Sequence, residues 1–224
     1  GVIYHKSGAL TYSGDAFAIN VTGRDAHGST PHLGIDAILV AAQIVTQLQS
    51  IVAKEGAPTD KAVVLVGKIQ GGTAVNTVAG EASLAVSTRA RKHETRAYLH
   101  RRVREIAQGV AQTYGAEVVV EHLYGMPPLI NDIKLDAELT GYCKALLGEQ
   151  GVDEMPTFNG TEDFSVIAEH VPAVLFTLGV GAITEGYSYG IHHPSMHINE
   201  SALAIGAAVY AECATRWLAA KTTQ

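Results

Sequence analysis

Three histidines fall within six residues in Ile191-His192-His193-Pro194-Ser195-Met196-His197-Ile198-Asn199-Glu200, after a glycine-rich loop and before a helical segment. Imidazole is the commonest protein ligand for zinc and similar ions, and such ligands are often gathered at strand ends. A metal site needs three or four donors, however. No HExxH, CxxC or paired acidic–histidine spacing completes a set here. The run supports a metal ligand without supplying a whole site, and solvent-facing histidines remain the alternative.

His27 lies in a second polar loop, Gly23-Arg24-Asp25-Ala26-His27-Gly28-Ser29-Thr30-Pro31-His32. Loops at strand ends commonly carry functional groups, and an imidazole there could donate to a developing oxyanion. The same loop also reads as a plain start to a helix. In Gly71-Gly72-Thr73-Ala74-Val75-Asn76-Thr77, paired glycines allow close backbone approach and Asn76 offers both a donor and an acceptor. A simple turn would use the same residues.

Arg89 carries a planar fork suited to a carboxylate. It also opens a basic run with Arg91, Lys92, Arg96, Arg101, Arg102 and Arg104, seven of the chain's 16 Lys and Arg residues. Most of that run fits a solvated helix face. It is also the best feature for a nucleic-acid binder, although the strands lack the aromatic pattern that stacks bases. In Asn159-Gly160-Thr161-Glu162-Asp163-Phe164, Thr161 or Asn159 could cap the next helix, with Glu162 and Asp163 at its positive end. Those carboxylates could equally orient a metal-bound group without touching the ion.

These residues must be held by something. Residues 15–21 alternate apolar and polar, placing Phe17, Ile19 and Val21 on one face of a strand. Spacings of three and four predict a helix over about 35–53, closed by Pro58. Strands follow at 62–69 and 81–88, then a helix from 93 to 114 ending at Gly115, and a strand at 117–122. Strand–helix–strand–strand–helix–strand is the ferredoxin-like βαββαβ plan. Beyond Pro127-Pro128 we expect helices near 133–148 and 200–220, a short helix after the 159–163 loop, and a continuous apolar strand at 173–180. A strand apolar on both faces suggests part of an α/β-layered domain. The fold class is therefore α/β with an α+β lid, divided as 1–12, 13–124 and 125–224.

A chain of 224 residues is about one and a half domains at roughly 150 residues each. Composition is ordinary for a globular protein, with 47% hydrophobic and 17% charged residues. The formal charge of −6 gives no overall attraction to nucleic acid. No run of about 18 apolar residues is free of polar interruption, so no membrane association is expected. Cys143 and Cys213 read as two buried thiols and favour, weakly, a reducing, cytoplasmic setting.

Taken together, GRDAHGSTPHLGID, GGTAVNTVAGEASLAVSTR, GTEDFSVIAEHVPAVLFTLGVG and HHPSMHINESAL resemble, in order and over nearly the whole chain, the dinuclear-metal aminoacylase/carboxypeptidase family. The resemblance implies an α/β catalytic domain interrupted by a ferredoxin-like lid that forms a homodimer. It implies metal-dependent cleavage of amide bonds in N-acyl amino acids or small peptides, using two divalent ions (zinc, or manganese or cobalt). By position, His27 would polarise the scissile carbonyl in the partner subunit's site and Asn76 would lie near the substrate. Arg89 would bind the substrate carboxylate, and His192 would ligate metal with His193 as its non-ligating neighbour. Glu162 and Asp163 fall in the family's active-site EDF segment. The family's other metal ligands and its water-activating glutamate belong to the first half of the catalytic domain, which does not match anything here. The chain by itself is thus expected to be an inactive fragment. A non-catalytic dimerisation or ligand-binding module is the alternative.

Overall fold

Alternation in residues 15–21 becomes a nine-residue strand, and the elements around it follow in a regular order. In the computed structural model, which describes residues 1–57 and 59–222, they are β1 (Ile3–His5), β2 (Gly8–Ala9), β3 (Gly14–Thr22), β4 (Ala26–His27) and α1 (Ala37–Ser50). Next come β5 (Ala62–Gly71), β6 (Thr77–Val78), β7 (Glu81–Ala90), α2 (His93–Tyr114) and β8 (Glu117–Met126). The chain continues through β9 (Ile130–Asn131), α3 (Ile133–Leu147), β10 (Val152–Glu154), α4 (Phe164–Ala168), β11 (Thr177–Leu178) and α5 (Ser201–Thr222). Residues 11–129 with 159–165 form one compact unit; residues 1–10, 130–158 and 166 onward form the other. Pro58, read from the sequence as a connection, lies outside the described residues.

The first unit is the ferredoxin-like plan. Its four long strands lie in the order β5-β7-β3-β8, each pair antiparallel. Phe17, Ile19 and Val21 face the same side as Leu84 and Val86, and α1 and α2 cover that side. Helix α1 contributes Val40, Ala41, Ile44 and Leu48, while α2 contributes Leu99, Val103, Ala107 and Ala111 at strict spacings of four. Full burial of each large apolar side chain here stabilises the unit by about 1.5–3 kcal/mol before entropy is counted.

Helix α1 starts later than its apolar spacing suggests. Ile35 is spent on a β-bridge to Arg24, exchanging both backbone hydrogen bonds at 2.9 Å. Asp36 then caps the helix, its Oδ1 accepting the Ile38 and Leu39 N–H groups at 3.0 and 3.2 Å. The helix ends at Ser50 in a single π-turn over Ile51–Glu55. Residues 37–55 together are long and apolar enough to cross a membrane by length and composition, although polar residues interrupt the run. The buried stripe of α1 nevertheless lies in the sheet-facing core.

In the second unit β1 pairs parallel with β10 and antiparallel with β11. Ile3, Val152, Cys143 and Val209 make its core with α3 and α5. The long apolar strand expected at 173–180 is a correction: only Thr177–Leu178 joins a ladder. The reason is Asn131, which is fully buried. Its Oδ1 accepts the Leu175 N–H at 2.8 Å, and its Nδ2 donates to the Leu175 and Lys6 carbonyls. A side-chain amide thus takes the backbone bonds that a neighbouring strand would have made.

The two thiols sit 3.8 Å apart between α3 and α5, both free. Burial, with Cys213 adding to it, pushes the Cys143 thiol up to about 12. Since the thiolate is the reactive form, Cys143 should alkylate with iodoacetamide at neutral pH at least about 100-fold more slowly in the folded than in the unfolded chain. Peptide mass spectrometry over a labelling time course measures this; equal rates would contradict the buried position.

Candidate functional site

Two loops distant in sequence are joined by a short ladder. Strand β4 pairs with β6, His27 opposite Thr77 and Ala26 opposite Val78. The Gly28 N–H then donates to the Asn76 carbonyl at 2.7 Å. A Cβ on residue 28 would lie 2.8 Å from that same oxygen, so the approach requires glycine. The base of the loop is held by Asp25, whose Oδ1 accepts the Gly80 N–H at 2.9 Å. Asp25 went unassigned from the sequence because its partner lies 55 residues away and no local pattern marks it.

Hydrogen bonding sets the His27 tautomer. Its Nδ1 accepts the Ser29 backbone N–H at 3.2 Å and lies 2.7 Å from Ser29 Oγ. An Nδ1 that accepts leaves the proton of the neutral ring on Nε2. His27 is exposed, so this loop presents an outward N–H donor beside Asn76. The adjoining groove of about 610 Å³ around Gly71 and Gly72 is lined by Asn20, Asp25, Gln70 and Glu81, and by no imidazole or thiol. It lacks the chemistry that the His27–Asn76 pair offers.

Arg89 is brought to the 159–165 segment instead. Its Nη1 donates to the Asn159 carbonyl at 3.3 Å, and the Tyr12 N–H holds the Gly160 carbonyl at 3.1 Å. Glu162 Oε1 accepts the Phe164 N–H at 3.4 Å, and the Glu162 carbonyl accepts from Ser165. Glu162 is therefore a local cap at the start of α4, while Asp163 is exposed beside it.

Most of the remaining basic run is paired rather than simply solvated. Arg102 binds Glu55 and Glu105, Lys92 binds Asp60, and Arg96 binds Asp15. Arg104 donates to the Val120 carbonyl. Arg102 and the Tyr98 hydroxyl hold the Glu55 carboxyl down at about 2. Arg102 and Glu55 are each about a quarter exposed, so solvent screening limits that pair to about 1 kcal/mol or less. Charges committed to neighbours make a poor nucleic-acid surface.

His192 lies in the second unit with φ of 72°, the only positive φ among the described non-glycine residues. That left-handed geometry costs a non-glycine residue on the order of 1–3 kcal/mol and clusters at functional positions. Its neighbours are engaged elsewhere. His193 stacks on Tyr189 at 4.1 Å and accepts the Ser195 N–H, while His197 packs on Tyr187. Among the described residues, the one group of three ligand-type side chains within 4.8 Å is Asp15, His100 and His122, in the first unit. The histidine run does not close a metal site on itself.

Residues 13–114 match the family of the peptidase dimerisation domain. Over that stretch, just under half of its length, the chain is similar to an M20 peptidase dimerisation domain. That domain contains both the His27 and the Asn76 loops. Its homologues include an N-acetyldiaminopimelate deacetylase of Geobacillus, 31% identical over 203 residues, covering 91% of this chain and 52% of the relative. An IAA-amino acid hydrolase of Arabidopsis thaliana is 31% identical over 223 residues, covering 98% and 50%. The dinuclear metal-binding M20 peptidase of Bacillus subtilis superposes with a TM-score of 0.74 at 26% identity, covering 95% of this chain and 52% of that one. The domain and the segments around it thus span about half the length of the curated relatives they match.

Proposed function

We propose that this chain is the lid-bearing part of a metal-dependent amidohydrolase that cleaves N-acyl amino acids or small peptides. The observation that supports this most is the β4–β6 ladder, which fixes an imidazole donor beside Asn76 within a peptidase dimerisation domain. The Nε2–H of His27 would donate to the scissile carbonyl as its oxygen gains charge, in the partner subunit's site. Asn76 would align the acyl group, and the guanidinium edge of Arg89 left by Asn159 would meet the substrate carboxylate.

Two divalent ions would supply Lewis acidity and an activated water in the complete enzyme. His192 would contribute one ligand, with its left-handed backbone setting the ring's direction. Among the described residues no group of three ligand-type side chains includes His192, so the donor set for two ions is not met by these residues.

Dimerisation through the lid is supported by the free edge of β5, where Val63, Leu65 and Ile69 are each about half exposed. An unpaired strand edge bearing apolar side chains is a ready template for a second copy. Sedimentation should give a dimer that Leu65→Lys dissociates; a monomeric wild type would remove this part of the proposal.

The direct test is hydrolysis of N-acetyl amino acids, followed by release of the free amine. A protein containing this chain and a full donor set should be active, lose activity to a chelator, and lose it again on His192→Ala. The 224-residue chain alone should show little turnover. Robust turnover by the chain alone, or activity indifferent to His192 and to chelators, would overturn the proposal.

A further inference from the structure

We propose that Asp15, His100 and His122 form a binding site for one zinc-type divalent cation in the dimerisation domain. Three elements bring the ligands together: β3 supplies Asp15, α2 supplies His100 and β8 supplies His122. A bulge on β8, where Leu123 is the extra residue between the partners of Ala16 and Phe17, sets His122 opposite Phe17. Bulges commonly re-aim side chains in this way. Gly125, opposite Asp15 in the register, leaves the room: a Cβ there would collide with Asp15 Oδ1 and lie 2.9 Å from His122 Nε2.

The ligand atoms converge on one carboxylate oxygen. His122 Nε2 lies 3.0 Å and His100 Nε2 3.1 Å from Asp15 Oδ1, and all three lie within 4.8 Å of one another. The two edges to Oδ1, each about 3 Å, fit donors about 2.0–2.2 Å from a shared cation. Both rings are held by Phe17, with centroids 5.0 Å away, and cross each other at 4.7 Å. Arg96 fixes the plane of the carboxylate through Nε to Oδ2 at 3.0 Å and Nη2 to Oδ1 at 2.8 Å. Hydrogen bonds of that kind orient metal-binding carboxylates.

One donor is left without a bond. His100 Nε2 is shielded from solvent and close to Oδ1, but its alignment does not make a hydrogen bond. A buried ring nitrogen 3.1 Å from a carboxylate oxygen but poorly aligned to it as a hydrogen-bond donor needs a reason. A cation bound by both Nε2 lone pairs and Oδ1 supplies one. Side-chain exposures of 25% for His100 and 29% for His122 leave a path for a water as fourth ligand. Two imidazoles and a carboxylate are a zinc donor set.

The test titrates Zn²⁺ into the full 224-residue chain and reads the histidine ring nitrogens by long-range ¹H–¹⁵N spectra. The Nε2 resonances of His100 and His122 should shift together and saturate at one ion per chain. His100→Gln or His122→Gln should weaken Zn²⁺ at that step by more than the roughly 10–100-fold typical of losing an outer partner. The wild-type spectra decide the matter even if a variant fails to fold. Unchanged Nε2 resonances at saturating Zn²⁺ would overturn the proposal and leave the cluster as an anchor for a buried carboxylate. Retention of the site's ion by both folded variants would overturn it equally.

Discussion

Asp15→Ala is expected to destabilise the dimerisation domain by about 3–5 kcal/mol, the usual cost of removing one partner from a buried ion pair. Asp15 is fully buried, and its loss would remove the carboxylate that Arg96 binds at 2.8 Å and that His100 and His122 approach from α2 and β8. Burial works to raise the Asp15 pKa, but the His100 and Arg96 contacts outweigh it and hold the carboxyl well below the usual carboxylate range. The folded pKa is thus lower than the unfolded value of about 3.9. The group's stabilisation is fully present above that unfolded value and is lost as pH falls from there toward the folded pKa. Asp15→Asn should therefore flatten the acid limb of the stability curve as well as lower its plateau. Denaturant melts between pH 2 and about 7 measure both effects. A loss below about 1 kcal/mol at neutral pH would mean that Arg96 finds other partners at no cost.

His27→Ala, in an active protein containing this chain, should lower kcat by about 10²–10³-fold with the dimer intact, the scale of losing one oxyanion donor. His27→Gln should recover part of that loss, because an amide N–H can replace the Nε2–H. Gly28→Ala should also reduce kcat, since its Cβ would push β4 away from the Asn76 carbonyl. Steady-state kinetics beside sedimentation separate these effects from loss of the dimer. Full activity in His27→Ala would instead favour a lid that only dimerises or binds ligand.

Much of this could be read along the chain. Period-two alternation at 15–21 and 81–88 and the four-residue spacing of Leu99, Val103, Ala107 and Ala111 located the sheet and its helices, because burial on one face leaves a local periodic trace. The His27 and Asn76 loops were visible as glycine-rich polar segments between those elements. Their pairing was not, since nothing local in residues 24–28 encodes a partner at 76–78. The expected strand at 173–180 failed for a related reason. Apolar content marked those residues for burial, but a single buried amide on Asn131 decided which backbone groups reached a ladder.

Composition, periodicity and ordered motifs by themselves determined the ferredoxin-like plan, the candidate residues and the peptidase resemblance. Tertiary structure alone decided the pairing of the His27 and Asn76 loops, the pairing of the basic run and the Asp15–His100–His122 cluster. Asp15 and His122 are 107 residues apart and meet only because β8 closes against β3 with a bulge. Local patterns record how each segment buries its own faces; convergence of side chains from separate segments depends on register and twist, which exist only once the sheet is formed.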